Sequence, residues 1–212
     1  ENKTLAESSI TVSIAEIDEQ IRKIENSSWN KFKVKCNGFN LKNTEKLLNL
    51  NRNIALDANA SFTKEDCLFI QETPGFQKLM YIEQPLEIGN FGILKNGNSV
   101  NWMADEDCQD ITFLEKLKPY YSSINIKLMK CGGLTPALEM ITEAKKLGYK
   151  IMLGCMTESS IGISAGCAIA GLLDFADLDG ANLISNDYAT GSFVDNGKII
   201  LSEKPGLGIA LL

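Results

Sequence analysis

The hydrophobic positions of this chain fall into short runs separated by helical stripes. "ITVSI" (10–14), "FKVK" (32–35), "NIALD" (53–57), "LMYIEQP" (79–85), "VNWMAD" (100–105), "INIKLM" (124–129), "KIMLG" (150–154) and "FADLD" (175–179) read as strands. Helical periodicity follows the first run in "AEIDEQIRKIENS", the third in "TKEDCLFIQETPGFQ" and the fifth in "ITFLEKLKPYY". It follows the sixth in "TPALEMITEAKKLG" and the seventh in "SSIGISAGCAIAGLL". A βα unit recurring about eight times predicts an α/β protein with a TIM-type barrel. An open doubly wound sheet is the rival, but it would usually carry a glycine-rich phosphate loop after an early strand, and none is present. The last stretch, "NDYATGSFVDNGKIILSEKPGLGIALL", breaks the alternation and predicts a hairpin around "DNG" with a Gly-Pro tail. Residues 1–190 are therefore expected to form the barrel, and residues 191–212 a C-terminal hairpin and tail.

Composition narrows the chemistry. The chain has 212 residues, 44% of them hydrophobic, enough for one substantial core. The net charge is −6 and no basic patch accompanies any motif, so no nucleic-acid partner is expected. No apolar run is long enough to span a bilayer, and no signal peptide stands at the start, so no membrane association is expected. Cys36, Cys67, Cys108, Cys131, Cys155 and Cys167 are scattered and mostly lie in or beside apolar runs. They read as reduced thiols of a cytoplasmic protein. A homo-oligomer stays open. The chain has no histidine, so acid–base work falls to Lys, Asp, Glu, Cys or Tyr.

The charged residues cluster at the C-terminal ends of the predicted strands, where barrels of this class build their active sites. Lys33 and Lys35 stand two apart on the second strand and so share a face. Asp57, Glu83 and Asp105 end the third, fourth and fifth strands. Three carboxylates converging from neighbouring strands repel unless something positive lies among them. A hard divalent cation with oxygen ligands, Mg²⁺ by preference, meets that need. The alternative is that lysines of the second and sixth strands neutralise the carboxylates without a metal. Those two strands lie on opposite sides of an eight-stranded ring, so Lys35 and Lys127 would face each other across the mouth. Two amines on opposite faces of an α-carbon can remove and return a proton with inversion. Lys33 would then be a fixed positive charge near the substrate carboxylate, lowering the pKa of its neighbour Lys35, the base.

These residues carry a family resemblance. "KVK" (33–35), "LDAN" (56–59), "IEQPL" (82–86), "MADEDC" (103–108), "INIKLMKCGG" (124–133), "GCMTESS" (154–160) and "DLDG" (177–180) resemble the barrel domain of the enolase superfamily. Within it they are similar to the muconate-lactonizing subgroup and its dipeptide epimerases of the L-Ala-D/L-Glu type. The resemblance implies a (β/α)7β barrel and a Mg²⁺-dependent isomerase that epimerises a dipeptide by two-base 1,1-proton transfer through an enediolate. It implies Asp57, Glu83 and Asp105 as magnesium ligands, Lys35 and Lys127 as acid–base pair, and Lys33 at the substrate carboxylate. Asp177 and Asp179 match the pair that holds the dipeptide ammonium, and Met156 and Glu158 lie in a substrate-lining segment. Glu158 can equally be a structural hydrogen-bond acceptor. Lys130, three residues from Lys127, is expected to face elsewhere and to be structural.

Members of that family carry an N-terminal α+β capping domain, whereas this chain opens at "ENKTLAESSITVSI", already on the first barrel strand. The cap is expected to be missing, and the C-terminal hairpin to lie near its place. Other functions stay open: an enzyme like o-succinylbenzoate synthase or muconate cycloisomerase, or a metal-binding barrel with impaired catalysis. "DLDG" argues against those two enzymes, whose substrates have no ammonium to hold.

Overall fold

Each of the eight apolar runs becomes a strand, and each strand pairs in parallel with the next in the computed structural model. The structure describes residues 4–97 and 100–212. Residues 1–3, where the expected barrel domain begins, and residues 98–99 lie outside the described residues. The strands are β1 (Ile10–Val12), β2 (Lys31–Lys35), β3 (Asn53–Asp57), β4 (Ile82–Glu83), β5 (Trp102–Ala104), β6 (Ser123–Lys127), β7 (Lys150–Gly154) and β8 (Phe175–Asp177). A parallel bridge between Ser8 and Ala176 joins the last strand to the first. The Ser9 N–H strengthens that seam by donating to Ala176 O at 2.9 Å. The result is a closed α/β barrel of the TIM type.

The strands have two apolar faces, which is why they read as continuous runs. Outward residues such as Phe32, Val34, Ile54, Leu56, Trp102, Ile124, Ile151 and Leu153 pack in the main core with helical Ile24, Leu47, Ile70, Leu117, Met140 and Ile163. Inward residues Ala55, Tyr81, Met103 and Met152 form a separate plug, with Phe175 packed against it. Each plug residue stands two positions before a residue of the mouth, namely Asp57, Glu83, Asp105, Gly154 and Asp177. The period of two therefore stacks a charged layer on an apolar one.

The helices are α1 (Ile17–Glu25), α2 (Leu41–Leu48), α3 (Lys64–Glu72), α4 (Leu114–Leu117), α5 (Leu128–Cys131), α6 (Leu134–Lys146) and α7 (Ser160–Ala168). Two of them depart from the sequence expectation. Helix α2 had no predicted counterpart, because its stretch is mostly polar; Asn40 caps it by accepting from Asn43 N–H at 3.0 Å. Helix α5 replaces the end of the sixth apolar run, so β6 stops at Lys127 and one helical turn follows. The eighth run also ends early, which puts Asp179 on the turn beyond β8.

The C-terminal stretch pairs twice. β9 (Ala189–Thr190) runs antiparallel to β12 (Ala210–Leu211). β10 (Phe193–Asp195) and β11 (Lys198–Ile200) form the hairpin expected around "DNG". Its turn residues Asn196 and Gly197 both take left-handed backbone, φ 49° and 89°, as a two-residue hairpin loop demands. The Gly197 carbonyl accepts from Ser8 N–H at 2.8 Å, so the hairpin turn fastens the start of β1.

Candidate active site at the barrel mouth

Register brings the candidate residues onto neighbouring rungs. Lys35 pairs with Asp57, and Asp57 with Glu83. At the other side of the ring, Lys127 pairs with Gly154 and Gly154 with Asp177.

Lys33 is at the centre of the charged layer, only 4% exposed. Its ammonium pairs with Asp177, and stands 3.6 Å from Glu83 Oε2 and 3.8 Å from Asp57 Oδ2. Burial pulls its pKa down, but the three carboxylates more than offset this and hold it well above the ordinary lysine value. Lys33 is thus a fixed cation. Lys35 reaches closer to solvent and donates to Asp57 Oδ2 at 2.9 Å and Asn59 Oδ1 at 2.8 Å.

Glu83 is fully buried. Its Oε1 accepts from Asn125 Nδ2 at 2.7 Å, while its Oε2 has no hydrogen-bond partner. Burial raises its pKa; Lys33 opposes this and Asp57 and Asp105 reinforce it, with the value ending at about 8. Asp105 is also buried, but burial is outweighed by Lys130 and Lys127, which hold its carboxyl below the usual range. Lys127 donates to Asp105 Oδ2 at 2.7 Å. Burial pulls the Lys127 pKa down and the Asp105 charge lifts it further, so it ends raised.

Lys130 corrects an expectation. Its spacing from Lys127 predicts that it faces away, yet its Nζ donates to Asp105 O at 2.7 Å and pairs with Asp105 Oδ1. The physical reason is α5: the chain turns helical after Lys127, and residues three apart on a helix lie on the same side.

Asp177 and Asp179 are each 2% exposed and already have internal donors. Asp177 accepts from Ser9 Oγ at 3.0 Å besides its pairing with Lys33, and Asp179 Oδ2 accepts from Thr11 N–H at 2.7 Å. Burial, with repulsion from Asp177, raises the Asp179 pKa. Met156 is exposed on the segment after β7, where Glu158 Oε1 accepts its N–H at 3.0 Å. Glu158 therefore does have the structural bond that the sequence left open. Asn125, Gln84 and Asp107 complete the site's hydrogen bonding and were assigned no role from sequence. As short polar residues inside or beside apolar runs, their unexpected polarity was the available signal.

The donor set fits a hard divalent cation. It is all oxygen, and Glu83 Oε2, Glu106 Oε2 and Asn125 Oδ1 are buried acceptors without hydrogen-bond partners. Among the described residues, however, no three such groups are already arranged to hold an ion. Ammonium groups account for this: Lys33 draws Asp177, Lys35 draws Asp57, and Lys127 and Lys130 draw Asp105. A cation entering here would compete with those ion pairs.

Known proteins share this architecture. The L-Ala-D/L-amino acid epimerase of a Maribacter species is 36% identical over 211 residues, covering 95% of this chain and 61% of that protein. The L-Ala-D/L-Glu epimerase of Bacteroides thetaiotaomicron is 39% identical over 160 residues, covering 74% of this chain and 42% of that protein. A crystal structure of a dipeptide epimerase from Methylococcus capsulatus, complexed with Mg ion, superimposes with a TM-score of 0.87 at 28% identity. It covers 98% of this chain and 66% of its own. The chain thus spans about three fifths of the length of the curated relatives that match it nearly end to end, 61% in the Maribacter case. A family model described as Enolase C-terminal domain-like matches residues 16–212, and the chain belongs to that family.

Proposed function

We propose that this chain carries the catalytic barrel of a Mg²⁺-dependent dipeptide epimerase of the L-Ala-D/L-Glu type. The observation that carries the reading is the placement of two mouth lysines on β2 and β6, four strands apart in a ring of eight. Each is hydrogen-bonded to a different candidate ligand, Lys35 to Asp57 and Lys127 to Asp105. Related dipeptide epimerases have been solved with Mg and with dipeptides, the Enterococcus faecalis enzyme with L-Leu-L-Tyr among them.

Asp57, Glu83 and Asp105 would hold the ion. Bound there, Mg²⁺ supplies the positive charge that makes an α-proton beside a carboxylate removable. Lys33 adds its fixed charge at the substrate carboxylate. Lys35 and Lys127 take up and return the α-proton from opposite faces, each at its Nζ. Asp177 and Asp179 are the candidates for the substrate ammonium, which must displace or share the donors they now hold. Met156 and Glu158 would line the same side of the pocket. A capping segment that closes the mouth belongs to this proposal, as does a cytoplasmic location, which six free thiols support.

The test is proton exchange. L-Ala-L-Glu and L-Ala-D-Glu are incubated with the protein in D₂O with Mg²⁺ and followed by proton NMR. Lys35→Ala and Lys127→Ala should each lower epimerisation by at least about a hundredfold, the scale of general acid–base catalysis. Each should still exchange the α-proton of one isomer, because the surviving lysine removes and returns it on one face. A Lys127→Ala protein that epimerises at the parent rate removes the two-base reading.

A further inference from the structure

Gln84 directly follows the candidate ligand Glu83, and it touches all three strand ends that carry the proposed metal ligands. Its backbone N–H donates to Met103 O on β5 at 2.9 Å, and its carbonyl accepts from Ala60 N–H, in the turn after β3, at 2.8 Å. Its side-chain Oε1 accepts from the N–H groups of both Asp105 and Asp107 at 3.1 Å. Its Nε2 donates to Leu86 O at 2.8 Å and to Asp107 Oδ2 at 2.9 Å. Two donors and two lone pairs are all that a carboxamide has, and all four are used. The surroundings also settle which end is which: two N–H groups face the oxygen, and a carbonyl and a carboxylate face the nitrogen. Asp107 is held in turn by Gly89 N–H and by the Tyr121 hydroxyl, each at 2.8 Å.

The backbone adds an independent observation. Gln84 has φ +35°, a left-handed conformation that glycine adopts freely and that other residues disfavour. A side chain with four buried hydrogen bonds accounts for glutamine at such a position. Resting on the metal reading above, we propose that Gln84 is a positioning residue for the divalent cation. It fixes the spacing between Glu83 and Asp105, and anchors the turn beyond Asp57, so that three carboxylates can face one ion.

A purely structural role would lower the melting temperature and leave ion affinity alone, so affinity is the readout. Mn²⁺ is titrated into the full chain and its free-ion EPR signal followed. The parent binds; Gln84→Gly, which relaxes the backbone and removes the side chain, should bind about tenfold or more weakly while still melting cooperatively. Gln84→Glu should also weaken binding, since it sets a carboxylate against Asp107. The double variant Gln84→Glu with Asp107→Asn restores a donor–acceptor contact between the two side chains, although a carboxylate oxygen still faces Leu86 O, and should recover part of the loss. Gln84→Gly binding Mn²⁺ like the parent overturns the inference. So does a double variant no tighter than Gln84→Glu, a comparison that decides the matter even where Gln84→Gly does not fold. A parent that takes up no Mn²⁺, or an Asp105→Asn protein that binds as the parent does, overturns the metal reading itself and the inference with it.

Discussion

As a proposed metal ligand, Glu83 should couple cation binding to pH. Burial and the neighbouring carboxylates move its pKa from 4.5 to about 8, with Lys33 acting against them. The folded state therefore keeps the proton longer than the unfolded chain does. On this group's account, stability falls as pH rises from 4.5 to about 8, and changes no further above that. A cation bound at Glu83 must displace the proton below that pH. Mg²⁺ affinity should therefore climb by up to about tenfold per pH unit toward pH 8 and then level off. Isothermal titration at several pH values checks this, and a flat profile between pH 6 and 8 would show that no proton leaves Glu83 when the cation binds.

The turns after β7 and β8 depend on each other. A Cβ added at Gly180 would come within 2.2 Å of Met156 O, a backbone atom that cannot move alone. Gly180 follows Asp179 directly, and Met156 opens the segment that contains Glu158. One glycine thus lets two proposed substrate-contacting turns pack together. Gly180→Ala should destabilise the barrel by about 1–3 kcal/mol, the usual cost of overpacking. It should also raise KM for the dipeptide. Urea denaturation and steady-state kinetics read the two effects separately; a variant with parental stability and KM would show that the turns are independent.

The rim of the barrel as a whole is apolar as well as charged. Ile14, Ile88, Met129, Met156 and Leu183 are all exposed, and they lie in segments following β1, β4, β6, β7 and β8. Large apolar side chains gathered around a charged mouth suit a covering partner, and the proposed capping segment would take that place. Closing the mouth excludes water and strengthens the electrostatics on which α-proton removal depends. Turnover of the 212-residue chain should accordingly rise when a relative's cap domain is supplied in trans. Equal rates with and without it would show that the barrel alone suffices.

Much of the mouth was legible because a strand repeats every two residues. Lys33 with Lys35, and the pairs Ala55–Asp57, Tyr81–Glu83 and Met103–Asp105, announce an inward face that turns from apolar to charged at the strand end. That pattern is local, so the chain states it without folding. The direction of Lys130 is not legible in the sequence, because it depends on where β6 ends and α5 begins, which packing decides and an apolar run does not show. The partners of the charges were hidden for another reason. Lys33 meets Asp177 across 144 residues of sequence, and Ser9 meets it across 168. Such contacts exist only once the last strand returns to the first, because closing the ring is what brings these side chains into one dry interior where each charge must find a partner.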